Sequence, residues 1–219
     1  MSEVHAPLDV RTFTVGPLAE NCYLARPRGA ERAVLIDPGE EPERLLGAIA
    51  ALSVRVEAIL ITHTHFDHIG AVAPLARATG APVICPELER EVLANIMDYV
   101  PSPEFGPFES YQADRTVSGG ETLELAGLRI EVISTPGHSP GHVSYAIRAG
   151  GALFSGDVLF QGSVGRVDLP GGDWATLLRS IERLMAELPA DTTVYPGHMG
   201  ITTLGRERAG NPFLRELAG

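Results

Sequence analysis

The sequence predicts an α/β fold in a single domain spanning residues 1–219, and three patterns carry that expectation. Short apolar runs bounded by glycine or proline recur along the chain, as buried strands do. Longer stretches place apolar side chains at helical spacing, most clearly from Trp174 to Leu188. Strands, helices, strands and a helix follow one another in that order, which suggests two similar halves, although no internal sequence repeat accompanies it.

Leu8 to Asp37 reads as three strands separated at Gly16-Pro17 and at Arg26-Pro27-Arg28-Gly29, and Pro38-Gly39 closes the group. A helix is predicted from Pro42, with Leu45, Leu46, Ile49 and Leu52 on one face. Ala58-Ile59-Leu60-Ile61 is apolar on both faces, as a strand covered on two sides would be. A helix carrying Ile69, Val72 and Ala76 follows and stops at Gly80. Pro82-Val83-Ile84-Cys85 is predicted as a strand and Glu87 to Ile96 as a helix. Met97 to Gly120 breaks the pattern, because it holds Pro101, Pro103 and Pro107 with Tyr99, Phe105, Phe108 and Tyr111. Long connections are often functional, so this one is expected either to wall a substrate groove or to plug the core with its aromatics. Strands resume from Leu123 to Asp157, with turns at Ala126-Gly127 and Ala149-Gly150-Gly151. Asp173 then caps the longest helix, where Trp174, Leu177, Leu178, Ile181, Leu184, Met185 and Leu188 form one apolar stripe that Pro189 ends. A short closing helix is predicted in the tail between Thr202 and Leu214.

Ligand-type side chains concentrate directly after the buried run at 58–61. Ile-Thr-His-Thr-His-Phe-Asp-His-Ile-Gly, residues 61–70, places His63, His65, Asp67 and His68 within six positions. In an extended segment His63, His65 and Asp67 share a side while His68 turns elsewhere, a division that two neighbouring cations would explain. Three further ligand-type residues occur where an apolar run meets a glycine: His138 in Thr135-Pro136-Gly137-His138, Asp157 after Ser155-Gly156, and His198 after Pro196-Gly197. All are expected at the rim of a sheet, where binding residues collect.

Composition removes several functions. The net charge of −11 opposes a phosphate backbone, so no nucleic-acid partner is expected. All 17 basic residues are arginine, which excludes a Schiff-base lysine and a P-loop. No apolar stretch approaches a membrane span and no secretory signal precedes the first strand, so a cytoplasmic protein without a membrane partner is expected. Cys22 and Cys85 sit in apolar runs and read as packed core thiols.

The order His-x-His-x-Asp-His, Gly-His, Ser-Gly-Asp and Pro-Gly-His, at residues 63–68, 137–138, 155–157 and 196–198, resembles the metallo-β-lactamase superfamily. More narrowly, it is similar to the glyoxalase II branch of hydroxyacylglutathione hydrolases, from Asn21-Cys22-Tyr23 to Asn211-Pro212-Phe213. The resemblance implies a four-layer αββα sandwich with metals at one edge between two sheets. It places one ion on His63, His65 and His138 and a second on Asp67, His68 and His198, with Asp157 bridging them and Asp67 orienting a metal-bound hydroxide. Zinc is the default for such ligands, with iron or manganese as alternatives. The implied reaction is hydrolysis of a small thioester or ester, with an anionic, glutathione-derived substrate such as S-lactoylglutathione.

Several features bear on that reading. Gly137-His138-Ser139-Pro140-Gly141 fits a serine nucleophile elbow, but residues 142–147 alternate like a strand and Pro140 lacks the N–H that an oxyanion hole uses. Gly165-Arg166-Val167-Asp168 resembles the short glyoxalase II-like proteins and the persulfide dioxygenases, and Arg166 is expected to fix an anionic substrate group or to brace the rim through Asp168. His142 is expected to be supporting or simply buried, and His5 surplus. Only residues 199–219 follow His198, whereas typical glutathione thioester hydrolases carry a C-terminal helical domain. The alternatives are therefore a mononuclear iron persulfide dioxygenase using His63, His138 and Asp157, and a lactone or β-lactam hydrolase.

Overall fold

A computed structural model describes residues 6–102 and 104–217, so His5 and Pro103 lie outside the described residues. The first half runs β1 (Leu8–Val15), β2 (Glu20–Pro27), β3 (Arg32–Ile36), α1 (Pro42–Ala51), β4 (Arg55–Leu60), α2 (Phe66–Ile69), α3 (Val72–Thr79), β5 (Val83–Pro86), α4 (Arg90–Ala94) and β6 (Arg115–Val117). Its strands form one sheet in chain order, antiparallel across β1, β2 and β3 and parallel from β3 to β6. The second half runs β7 (Thr122–Leu125), β8 (Leu128–Ser134), β9 (Val143–Ile147), β10 (Ala152–Gly156), a small hairpin of β11 (Leu159–Phe160) and β12 (Ser163–Val164), then α5 (Trp174–Glu187), β13 (Thr193–Pro196), β14 (Thr202–Thr203) and α6 (Leu204–Gly210). Apart from the hairpin, these strands make a second six-stranded sheet in the order β14-β13-β10-β9-β8-β7.

Alternation along the strands divides the core into layers. In β2 and β3, Cys22, Leu24, Ala33 and Leu35 pack beneath α1 and α3, while Tyr23, Ala25, Val34 and Ile36 face the opposite way. That second set meets Ile130, Val132, Tyr145, Ile147 and Phe154 of the other sheet. The far face of the second sheet, with Ala146, Leu153 and Val194, is covered by Leu177, Ile181, Leu184 and Met185 of α5 and Leu204 of α6. The layers are therefore helix, sheet, sheet and helix. Burying each large apolar side chain in them contributes about 1.5–3 kcal/mol. Cys22 and Cys85 are buried free thiols within the first of these layers. Among the described residues, no helix is long and apolar enough to cross a membrane.

Some local expectations change. The helix expected from Ile69 to Gly80 is two pieces, α2 and α3, interrupted at Gly70-Ala71. Gly70 packs against the Phe108 ring and the Gly39 carbonyl so closely that a Cβ there would have no room, and Ala71 N–H donates to Pro38 O instead of continuing the helix. Glu87 to Ile96 holds only a 3₁₀ turn at 87–89 and the five-residue α4. In the long connection, Phe105 and Phe108 stack on Phe66 with ring centroids 4.9 and 6.0 Å away, and Tyr111 packs on the first core cluster. Those aromatics pack half-buried over the first core cluster, whereas Met97 and Tyr99 are exposed. On α5 the stripe is narrower than its sequence, because Trp174 at the first turn stays 38% exposed.

Candidate metal centre

Every ligand-type residue singled out in the sequence lies beyond the carboxyl end of a strand, on one edge between the sheets. His63 and His65 follow β4, Asp67 and His68 lie on α2, His138 follows β8, Asp157 follows β10 and His198 follows β13. Binding sites of α/β sheets collect at that end. Asp67 sits on a helical turn, not on the extended segment its spacing suggested, so it falls with His68 and His198 and not on the side of His63 and His65 where strand alternation put it.

The seven side chains meet in two sets. In the first, His65 Nδ1 lies 3.2 Å from His63 Nε2 and 2.8 Å from His138 Nε2. In the second, Asp67 Oδ2 lies 3.2 Å from His198 Nε2 and 3.9 Å from His68 Nε2. Asp157 stands between them: Oδ1 is 3.4 Å from His68 Nε2, and Oδ2 is 3.5 Å from His138 Nε2 and 3.6 Å from His198 Nε2.

These donors fit divalent cations. Ligands on a tetrahedral zinc with bonds of about 2.0–2.1 Å stand roughly 3.3 Å apart, close to the nitrogen separations of the first set. Burial holds His63 well below its ordinary pKa, and burial with the neighbouring His138 brings His65 down to about 4, so both imidazoles offer lone pairs at neutral pH. The second set carries excess negative charge. Burial opposes charging His68, but Asp157 and Asp67 outweigh it and push its pKa well up; burial likewise opposes charging His198, and Asp67 and Asp157 again prevail. Among the described residues the buried His68 Nε2 and Asp157 Oδ1 have no hydrogen-bond partner, a costly arrangement that a cation taking a lone pair from each would relieve.

Outer contacts fix which nitrogen each ring presents. His68 Nδ1 donates to Asp37 Oδ2 at 3.1 Å, His138 Nδ1 donates to the Arg166 carbonyl at 2.7 Å, and His63 Nδ1 lies 3.0 Å from Thr62 Oγ1. Such contacts orient rings and raise their basicity as ligands. Asp37 also accepts both the N–H and the hydroxyl of Thr62, at 2.7 and 2.6 Å. It therefore serves as a brace for His63 and His68 and not as a third ligand cluster with them. His142 is fully enclosed: its Nε2 accepts the Asp157 N–H at 3.1 Å, which leaves Nδ1 to donate to Thr135 Oγ1 at 2.9 Å. The His198 loop is held from the other sheet, where Asn21 Nδ2 donates to the carbonyls of Pro196 and Met199 and Tyr23 donates to Pro196 O at 2.7 Å. Arg166 contributes its carbonyl inward, while its exposed guanidinium makes two 2.7 Å bonds to Asp168.

Glycines let the loops close. A Cβ on Gly197 would meet Asp157 Oδ1 and stand 2.7 Å from His68 Cε1; one on Gly165 would meet the Asp157 carbonyl.

Sequence reasoning missed Asp37, Glu20 and Glu89, all buried carboxylates around the centre. Asp37 follows the apolar run of β3 and precedes Pro38-Gly39, the same signature that marked Asp157, and could have been found by it. Glu20 is pushed up in pKa by burial, and among the described residues neither of its oxygens has a hydrogen-bond partner, the nearest charge being His68 Nδ1 at 3.7 Å from Oε1.

Comparison with known proteins agrees with the geometry. Residues 15–198 match the family described as the Metallo-beta-lactamase superfamily. The chain is 34% identical over 209 residues to a Haemophilus influenzae protein named hydroxyacylglutathione hydrolase GloC, covering 94% of this chain and 98% of that protein. It superposes on the crystal structure of the BLEG-1 B3 metallo-beta-lactamase with a TM-score of 0.89 and 38% identity, over 94% of this chain and all of that one. With TTHA1623, crystallised in a di-iron-bound form, the TM-score is 0.78 and the identity 42%, over 93% of this chain and all of that one. Fold, donor set and similarity converge, and the chain belongs to the metallo-β-lactamase superfamily, a family of metallo-hydrolases that bind divalent metals.

Proposed function

We propose that the chain is a dinuclear metal hydrolase of small thioesters or esters, with glutathione-derived thioesters such as S-lactoylglutathione as the substrate class. The observation that carries this reading is the placement of Asp157 between two three-ligand sets. His63, His65 and His138 would hold one ion and Asp67, His68 and His198 the other, with zinc as the leading metal and iron or manganese as alternatives. When bound, such a pair of cations supplies Lewis acidity, acidifying water and offsetting the negative charge that develops on an attacked carbonyl oxygen.

The protein's own groups do the rest. Asp67 keeps one carboxylate oxygen 3.2 Å from His198 Nε2, where it can orient an attacking water. Burial opposes the charge of Asp157, but His68 outweighs it and keeps the carboxyl far below the usual range, ionised across the physiological pH range. Arg166 engages Asp168 through Nε and Nη2, which leaves Nη1 free to attract an anionic substrate group. The thioester assignment is supported by GloC, whose aligned length is nearly its whole length.

The test is to purify the protein without added metal, count the ions by mass spectrometry, and follow S-lactoylglutathione hydrolysis with and without oxygen. Two equivalents and oxygen-independent turnover are expected. One iron with oxygen uptake on glutathione persulfide would replace the reading with a dioxygenase, and tightly held metal without acyl turnover would leave only a metal-binding role.

A further inference from the structure

We infer that Glu89 is a positioning residue that clamps together the two loops bearing His63, His65 and His138. The inference rests on the proposal that those three residues hold one ion. Glu89 follows β5 on a 3₁₀ turn, remote in sequence from every ligand, and is 5% exposed. Its carboxylate accepts four hydrogen bonds. Oε2 takes the N–H of Thr64 at 3.2 Å and the Thr64 hydroxyl at 2.7 Å. Oε1 takes the Ser139 hydroxyl at 2.6 Å and the Gly141 N–H at 2.9 Å. Thr64 lies between His63 and His65, and Ser139 follows His138. Each oxygen therefore serves one ligand loop, and the rigid carboxylate sets the spacing between them.

Two further features make the arrangement specific. A carboxylate offers about four acceptor sites, and all four partners here donate to it, so an amide in its place would turn an N–H₂ group towards the Thr64 or the Gly141 backbone N–H. Gly141 is the complement of this fit, because a Cβ there would stand 2.6 Å from Glu89 Cγ. Under this clamp three imidazole nitrogens are held 2.8 and 3.2 Å apart, close to the spacing of donors around one zinc ion. Glu89 is thus part of the affinity of the three-histidine site without touching the ion.

The experiment is a two-step zinc titration against a chromophoric competitor, on the full chain. Glu89→Gln is expected to weaken one step by about 10–100-fold, the usual effect of removing an outer partner, and to leave the other unchanged. His198→Ala, which cripples the second site, assigns the step: added to it, Glu89→Gln should weaken the ion that remains. Added to His65→Ala, it should change nothing. Equal weakening of both steps, or of neither, overturns the inference while the proposed function stands. A wild-type protein that takes up no ion overturns both. If Glu89→Gln does not fold, Thr64→Val and Ser139→Ala each remove one hydroxyl donor, and each should weaken the same step by a smaller factor. An unchanged titration in both overturns the inference.

Discussion

Gly197→Ala adds one methyl group to the centre without altering any ligand. Its Cβ would stand 2.7 Å from His68 Cε1, about 0.7 Å inside the 3.4 Å of ordinary contact, and closer still to Asp157 Oδ1. Gly197 is not among the glycines with positive φ, so the obstacle is space alone. The neighbours cannot yield cheaply, since His68 is fully buried and tied to Asp37, and Asp157 is anchored through its N–H to His142. Metal bonds tolerate errors of only about 0.2 Å, so a displacement of this size should lower the affinity of the Asp67/His68/His198 set by tenfold or more. Overpacking should cost a further 1–3 kcal/mol or so of stability. Metal counting after dialysis and urea denaturation read the two effects separately. Gly47→Ala on α1, where a Cβ meets nothing within 4 Å, is the control and should be stabilised by up to about 1 kcal/mol. Wild-type metal content and stability in Gly197→Ala would refute the packing argument.

Other outcomes follow from the same site. Burial, then His138, holds His142 well below its ordinary pKa, so below about pH 6.5 the unfolded chain takes up a proton that the folded chain refuses. Stability is therefore lost as pH falls from that value, and His142→Asn in metal-free protein should make the slope shallower by up to about 1.4 kcal/mol per pH unit in urea titrations; parallel slopes would contradict this. Arg166→Ala should raise KM for an anionic thioester about tenfold and leave a neutral ester unaffected, measured by steady-state kinetics. Chelation should lower the melting temperature by about 5–10 °C, because an ion at 100 times its Kd adds about 2.7 kcal/mol to the folded state, and readdition of zinc should restore it in calorimetry.

What the sequence revealed is what local pattern encodes. The candidate ligands after β4, β8, β10 and β13 stand out because each joins an apolar run to a polar residue near a glycine, and the strands are legible from their alternation. Asp37 carries the same mark but stands alone, with no histidine, cysteine or second aspartate within ten positions to draw notice to it. Glu89 carries none: it lies in the charged run Glu87-Leu88-Glu89-Arg90-Glu91, and its partners are 25, 50 and 52 residues away. The break at Gly70 was hidden for a similar reason, since only the arrival of Phe108 and Gly39 explains it. The aromatics of the 97–120 connection carry no local mark of where they pack, because their contact with Phe66 is made by residues about 40 positions away.

Each proposed three-ligand set draws on both halves of the chain. His63, His65, Asp67 and His68 come from the first sheet's side, and His138, Asp157 and His198 from the second's. A cation in either set would act as a rivet through the seam, and Asn21 and Tyr23 already sew the same edge by reaching across to the His198 loop. Sliding of one sheet over the other would pull the rivet out, so retention of the ions reports on the register of the entire sandwich. Substitutions far from the mouth that let the layers slip will register first as leakage of metal, before any loss of helix or strand.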